Sequence, residues 1–250
     1  EQVPFSRTYT QHLRAAGVKI LADGSPQGRT AWLTHPYHIV PHGREHDYSG
    51  YKQIPDDVLQ GLLRKADDHG WQVYVHVNGD AAIQQLIDTV RAVGQASGKP
   101  MQRTIAIHSQ TARVDQLKEM KALDIEPSFF AAHTFYWGDW HREVTLGLPR
   151  AEHISPQRDA FDLGLRPTIH NDSPVVPPDM IRLIWSAVTR RTRSNDILGP
   201  EERVTPYEAL MEVTSNAAYE LHEEGMKGTL EKGKLADLVI LDRDPLSIPP

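Results

Sequence analysis

Short apolar runs alternate along this chain with helical patterns, and this alternation constrains the fold more than any other feature. Three runs end in residues that commonly bind metals, and they cover residues 73–76, 105–108 and 168–172. Their β-branched residues favour strands, whereas the segments between them have helical periodicity. Such alternation predicts an α/β fold, either a (β/α) barrel or a doubly wound sheet. Because barrel enzymes gather catalytic groups at the carboxyl ends of their strands, we expect these residues to share one site.

Composition narrows the class of protein. The 250 residues are 39% hydrophobic and 24% charged, which suits one large globular domain or two modest ones. The net charge of -6 argues against nucleic acid or an anionic membrane surface as a partner. No apolar run approaches the roughly 20 residues that span a bilayer. Cys is absent, so a metal must be held by His, Asp, Glu or a modified Lys, and the lack of disulfides suits the cytoplasm.

Several helix ends and one loop are predicted from local signals. Asp80 and Thr111 are each expected to cap a helix, and Thr205 with Glu208 has the spacing of a capping box. Residues 133–141 hold four aromatic side chains and two histidines, and we expect them to form a loop that lines a pocket.

The strand-end residues supply the candidate site. His76 and His108 are candidate metal ligands, although either one alone could be a hydrogen-bonded core histidine. Asp172 could be a metal ligand and proton shuttle, or it could cap a turn. Lys19 lies in an apolar strand, where it either extends its ammonium to the rim or becomes a carbamylated ligand. His133 is a candidate for binding a substrate oxygen.

Other polar residues receive weaker predictions. Strand alternation turns His170 to the same side as Asp172, with Asn171 opposite. Asp23 precedes a glycine and could be a turn residue. Four histidines in the first long loop are expected to be solvated surface residues: His35, His38, His42 and His46.

With these residues in view, the chain resembles the amidohydrolase superfamily, in particular the YtcJ-like metal-dependent hydrolases and their branch called exoenzyme regulatory protein AepA. The matching segments cover nearly the whole chain and lie at 18–24, 76–81, 133–141, 170–175 and 228–244. The resemblance implies a partial (β/α)8 TIM-type barrel, about strands 4 to 8, in residues 1–226. It also implies that residues 227–250 are a C-terminal β hairpin from the flanking sandwich domain.

The resemblance also implies a chemistry. Lys19, His76, His108 and Asp172 match the family's metal-site positions, with Asp172 also catalytic and His133 a candidate for stabilising the oxyanion. The implied reaction is hydrolysis of an amide or other non-peptide C–N bond of a small molecule through a metal-activated water. The implied cofactor is a divalent metal, zinc foremost, with one or two ions in the intact enzyme.

One departure from the family pattern limits these expectations. The family's first strand carries a His-x-His pair, and this sequence contains none. We therefore expect the chain to be the carboxyl-terminal portion of a longer cytoplasmic enzyme, inactive alone and with weak or absent metal binding. Exposed strand edges in such a portion predict a homo-oligomer. The alternative is a non-catalytic regulatory or binding protein that keeps the fold.

Overall fold

A five-stranded parallel sheet organises the molecule, whose computed structural model describes residues 6–249. The strands run in sequence order as β1 Gly17–Leu21, β2 Gln72–Val77, β3 Thr104–His108, β4 Ile125–Phe129 and β5 Thr168–Ile169. All four strand pairs are parallel. The α/β prediction is therefore confirmed, with five strands. The ends of the predicted segments 1–226 and 227–250, residues 1–5 and 250, lie outside the described residues.

Within residues 6–249, five helices lie in the connections between the strands and three follow the last strand. They are α1 Asp56–Asp68, α2 Asp80–Ser97, α3 Val114–Ala122, α4 His133–Trp140, α5 Gln157–Asp162, α6 Met180–Thr189, α7 Pro206–Val213 and α8 Ser215–Glu220. A π-helical turn, His141–Thr145, and two 3₁₀ turns, Arg150–His153 and Pro200–Glu202, complete the order. No helix in residues 6–249 is both long and apolar enough to cross a membrane.

The main core lies between the sheet and its helices. Apolar residues of β2, β3 and β4 meet the inner faces of α1, α2 and α3, as the helical periodicity predicts. Fully buried side chains of this core include Leu59, Leu63, Ile83, Leu86, Leu117 and Phe129. This packing holds the strands in register, so the carboxyl ends of β2 and β3 lie side by side.

The capping box at α7 is confirmed, because the Glu208 backbone N–H donates to Thr205 Oγ1 over 3.2 Å and the Thr205 N–H donates to Glu208 Oε2 over 2.8 Å. The predicted cap at Asp80 is wrong, since Gly79 precedes the helix and no side chain caps it. Asp80 instead binds Arg113 Nη1 at 2.9 Å. A tertiary ion pair has replaced the local cap.

The predicted cap at Thr111 is also wrong. Helix α3 begins at Val114, and the Thr111 hydroxyl donates to the backbone oxygen of Asn78 over 2.9 Å. Thr111 therefore ties the end of β3 to the loop after β2. The aromatic segment 133–141 is likewise not a loop, because α4 and the π turn contain it. Burial of this segment favours a helix, which satisfies its backbone groups internally.

Lys19 is exposed on β1, which pairs with β2 along one edge. This exposure agrees with the first of the two predicted alternatives, an ammonium at the rim, and carbamylation stays a prediction. No strand of the described chain covers the outer edge of β1. Edge pairing between copies stays a prediction.

The C-terminal tail does not form the predicted hairpin. Residues 236–241 have no strand pairing within the described part of the chain. Val239 and Ile240 are 77% and 90% exposed. A strand needs a neighbour to bind its backbone N–H and C=O groups, and none is supplied here.

A buried carboxyl in α7 leads to a pH prediction. Glu212 is fully buried, and Gln157 Nε2 donates to both of its carboxyl oxygens over 2.9 Å. Burial raises the pKa of Glu212 well above its ordinary value. A raised folded-state pKa gives stability that is present below the unfolded pKa of about 4.3 and is lost as pH rises through the folded pKa.

We therefore expect Glu212→Gln to flatten the pH dependence of the free energy of unfolding. At pH 8 the variant should be more stable than the native protein by at least about 1 kcal/mol, because it has no carboxyl to ionise. Urea unfolding between pH 5 and 9 measures this. The exposed Glu201→Gln is the control and should leave the profile unchanged. Parallel profiles for Glu212→Gln and the native protein would contradict the prediction.

Candidate metal centre at the strand ends

Histidines from neighbouring strands meet at the carboxyl edge of the sheet. His76 is on β2 and His108 ends β3, and the register pairs Val77 with His108. His108 Nε2 lies 3.0 Å from His76 Nδ1, and their ring centroids are 4.5 Å apart. The two candidate ligands are therefore in direct contact, as the strand-end pattern predicted.

His170 joins this pair, although the sequence alone suggested no role for it. Its ring centroid lies 4.9 Å from that of His108. Its Nε2 atom is buried and has no hydrogen-bond partner among the described residues. A buried polar atom without a partner is costly, so this nitrogen is suited to a ligand. The available signal was strand alternation, which turned His170 toward the side of Asp172.

All three imidazoles are neutral near pH 7. Burial lowers the pKa of His76, an effect that Lys19 reinforces and that Asp172 and a hydrogen bond to the Gly24 backbone oppose. Burial places the pKa of His108 well below its usual range, and it lowers that of His170 to about 4. Neutral imidazole is the form that binds metals.

Asp172 is half-buried just beyond β5, and its backbone is left-handed, with φ of 49°. Its charge raises the pKa of both His76 and His170, which places the carboxylate close to the cluster. No hydrogen bond within the described chain joins its carboxylate to either ring. The structure thus brings His76, His108 and His170 into contact. The charges of Asp172 and of Lys19, which is exposed on the edge strand, are both near enough to shift the pKa values of these rings.

Asp23 organises the loops around His76. It is fully buried after β1 and accepts three backbone N–H bonds of 2.8–2.9 Å, from Trp32, Asn78 and Gly79. Burial raises its pKa to about 7, and these hydrogen bonds oppose that rise. Its Oδ1 lies 3.6 Å from His76 Nε2.

Asp23 is therefore a buried connector and not a simple turn residue. Gly79 allows this close approach, since a Cβ there would lie 1.9 Å from the Trp32 carbonyl oxygen. Sequence reasoning missed the connector because its partners are far apart in the chain.

The ring of Phe130 lies between His133 and the cluster of His76, His108 and His170. His133 begins α4, directly after β4, and Phe130 separates it from His170 with centroid distances of 4.8 Å and 5.3 Å. The predicted loop histidines, by contrast, are all exposed as expected: His35, His38, His42 and His46.

A second group of metal-ligand side chains lies on other elements. His153, Asp159 and Glu202 have ligand atoms within 4.8 Å of one another. Burial and the nearby Asp159 charge raise the pKa of Glu202. Sequence spacing did not indicate this group, because its members come from three separate turns and helices.

A parallel α/β sheet with imidazoles gathered at its strand ends is an arrangement that suits a metal-dependent hydrolase. The sequence pattern of the amidohydrolase family matches residues 2–250. The chain belongs to the amidohydrolase family.

Two curated relatives show how much of a longer protein this chain matches. YtcJ of Bacillus subtilis (strain 168) is 28% identical over 247 residues, covering 96% of this chain and 44% of YtcJ. The N-substituted formamide deformylase of Arthrobacter pascens is 30% identical over 194 residues, covering 75% of this chain and 34% of the relative. The chain therefore spans less than half the length of these relatives.

Two solved structures also match this chain over about half of their own length. An uncharacterized metal-dependent hydrolase from Pyrococcus horikoshii OT3 matches with a TM-score of 0.82 and 28% identity, covering 98% of this chain and 48% of that one. Its counterpart from Pyrococcus furiosus matches with a TM-score of 0.80 and 29% identity, with coverage of 97% and 47%. This chain therefore shares the fold of about half of each.

Proposed function

We propose that this chain carries part of the active site of a metal-dependent hydrolase acting on an amide or other non-peptide C–N bond. The observation that carries the proposal is the contact of His108 with both His76 and His170. The buried Nε2 of His170 has no hydrogen-bond partner in the described chain. The name of the Arthrobacter pascens relative favours a C–N bond, and N-substituted formamides are the first substrates to test.

The donor set fits a divalent metal. Imidazole and carboxylate together suit zinc, iron or manganese, and zinc best matches a site dominated by imidazole. His76, His108 and Asp172 would hold the ion, and His170 offers a further nitrogen beside them. Lys19 would contribute only after carbamylation. A bound divalent ion would lower the pKa of a water molecule and polarise the substrate carbonyl.

The residues of the chain have separate tasks in this proposal. The Asp172 carboxylate takes a proton from the attacking water and gives it to the leaving amine nitrogen. His133 donates a hydrogen bond to the carbonyl oxygen as negative charge develops there. Asp23 holds the loop after β2 against the end of β1 and so fixes the position of His76.

Metal removal tests the proposal. Because this chain spans less than half the length of its relatives, the test uses a longer protein that contains it, and we expect that protein to hydrolyse at least one member of a panel of N-substituted formamides and other amides. Chelation should abolish hydrolysis, because the carbonyl and the water are then no longer activated. Zinc added back should restore it, and elemental analysis should show metal following activity. Hydrolysis that survives complete metal removal, or a protein that takes up no divalent metal, would contradict the proposal.

A further inference from the structure

A buried chain of hydrogen bonds runs from Thr145 through His141 to His133. Thr145 Oγ1 lies 2.7 Å from His141 Nδ1, and His141 Nε2 lies 2.9 Å from His133 Nδ1. Thr145 and His141 are fully buried, and His133 is 3% exposed. The His133 ring also packs against Trp137, with 4.6 Å between centroids, so its orientation is fixed.

The direction of these hydrogen bonds follows from the Thr145 hydroxyl. Within the described chain its partner is His141 Nδ1. If Nδ1 carried the proton, the hydroxyl hydrogen would be buried without an acceptor, which is costly. The hydroxyl therefore donates to Nδ1. A neutral imidazole with an accepting Nδ1 carries its proton on Nε2, so His141 Nε2 donates to His133 Nδ1.

The same rule fixes the proton of His133. With Nδ1 accepting, the proton lies on Nε2. Both rings are neutral, because burial lowers the pKa of His141 to about 3 and places that of His133 well below its usual range. His133 Nε2 has no hydrogen-bond partner within residues 6–249, and one aromatic ring separates it from His170.

We propose that Thr145 and His141 are positioning residues that hold His133 as a hydrogen-bond donor, through Nε2, to the substrate carbonyl oxygen. The π-helical turn His141–Thr145 contains both residues, and such turns are frequent at functional sites. The role toward substrate rests on the proposed hydrolase function. The position of the proton on His133 does not depend on it.

Nitrogen NMR of the chain labelled with ¹⁵N-histidine tests the proton positions directly. His133 and His141 should each show a protonated Nε2 and an unprotonated Nδ1. Their signals are assigned by their loss in His133→Gln and His141→Gln. A protonated Nδ1 on His133 would overturn the proposal, whatever the protein hydrolyses. Absence of amide hydrolysis, by contrast, would contradict the proposed function and leave the proton positions as they are.

Variants of Thr145 test the positioning role. Thr145→Val removes the hydroxyl at nearly constant shape. In this variant we expect His133 to show a mixture of Nε2-protonated and Nδ1-protonated rings. Thr145→Ser keeps a hydroxyl, so His133 should again be protonated on Nε2 alone. Thr89→Val is the matched control, since Thr89 is also buried in a helix and its hydroxyl donates to the Gln85 oxygen over 2.6 Å. An unchanged His133 pattern in Thr145→Val would overturn the positioning role.

Discussion

Replacing His108 with alanine is expected to lower divalent-metal affinity and amide hydrolysis by at least about 100-fold. Loss of an outer partner of a ligand already costs about 10–100-fold, and a direct ligand should cost more. His108 is 3% exposed and contacts both His76 and His170. Its removal therefore takes away the ring that connects the other two imidazoles. Metal titration followed by elemental analysis, together with kcat/KM on the amide panel, measures the effect.

The control for this prediction is His42→Ala, because His42 is exposed in the first long loop. It should leave metal content and hydrolysis unchanged. His108→Gln keeps much of the buried volume, so a similar loss in this variant separates lost ligation from a packing defect. Full metal content in folded His108→Ala would show that the ion is held by other residues. The group of His153, Asp159 and Glu202 would then be the next place to examine.

Replacing Arg190 with methionine is expected to reduce the free energy of unfolding by about 3–5 kcal/mol. Arg190 is fully buried at the end of α6, and its guanidinium donates to four backbone oxygens at 2.7–3.3 Å. The acceptors are Leu198, Ser155, Glu152 and Ile154. Methionine fills part of the volume but removes this donor from the carbonyls of Leu198, Glu152 and Ile154, whereas the Ser155 carbonyl still accepts the Gln157 backbone N–H over 2.8 Å.

Urea unfolding at neutral pH measures this loss of stability. The matched control is Arg64→Met on the exposed face of α1, which should change stability by no more than about 0.5 kcal/mol. Burial lowers the pKa of Arg190 to about 10, an effect that the charge of Glu202 opposes, so the group stays charged at neutral pH. A loss below about 1 kcal/mol would mean that the carbonyls find other donors when the guanidinium is removed.

The strand-end histidines show how far local sequence patterns reach. Runs of β-branched residues predicted strands at β2 and β3, and both formed with His76 and His108 at their ends. Parallel neighbours in sequence order then had to bring those ends together. The shared position at the strand ends followed from the sequence, and the adjacent order of β2 and β3 in the sheet brings the two imidazoles into contact.

The segment of β1 and the tail show where local patterns stop. Both have apolar, strand-forming sequences, yet only β1 pairs with another strand, and residues 236–241 remain unpaired. The sequence of a segment specifies whether its backbone favours an extended conformation, but its pairing and burial depend on the neighbouring strands and helices. Those neighbours are not specified by the segment's own sequence.

The sequence by itself determined the alternation of strands and helices, the parallel sheet, and the placement of His76 and His108 at adjacent strand ends. Only the tertiary structure decided that His170 joins them, that Asp23 bridges two loops, and that Thr145 orders the proton on His133. The physical reason is the distance along the chain over which each kind of signal acts. Periodicity acts between near neighbours in the chain, whereas buried hydrogen bonds and ring contacts join residues that only the folded sheet brings together.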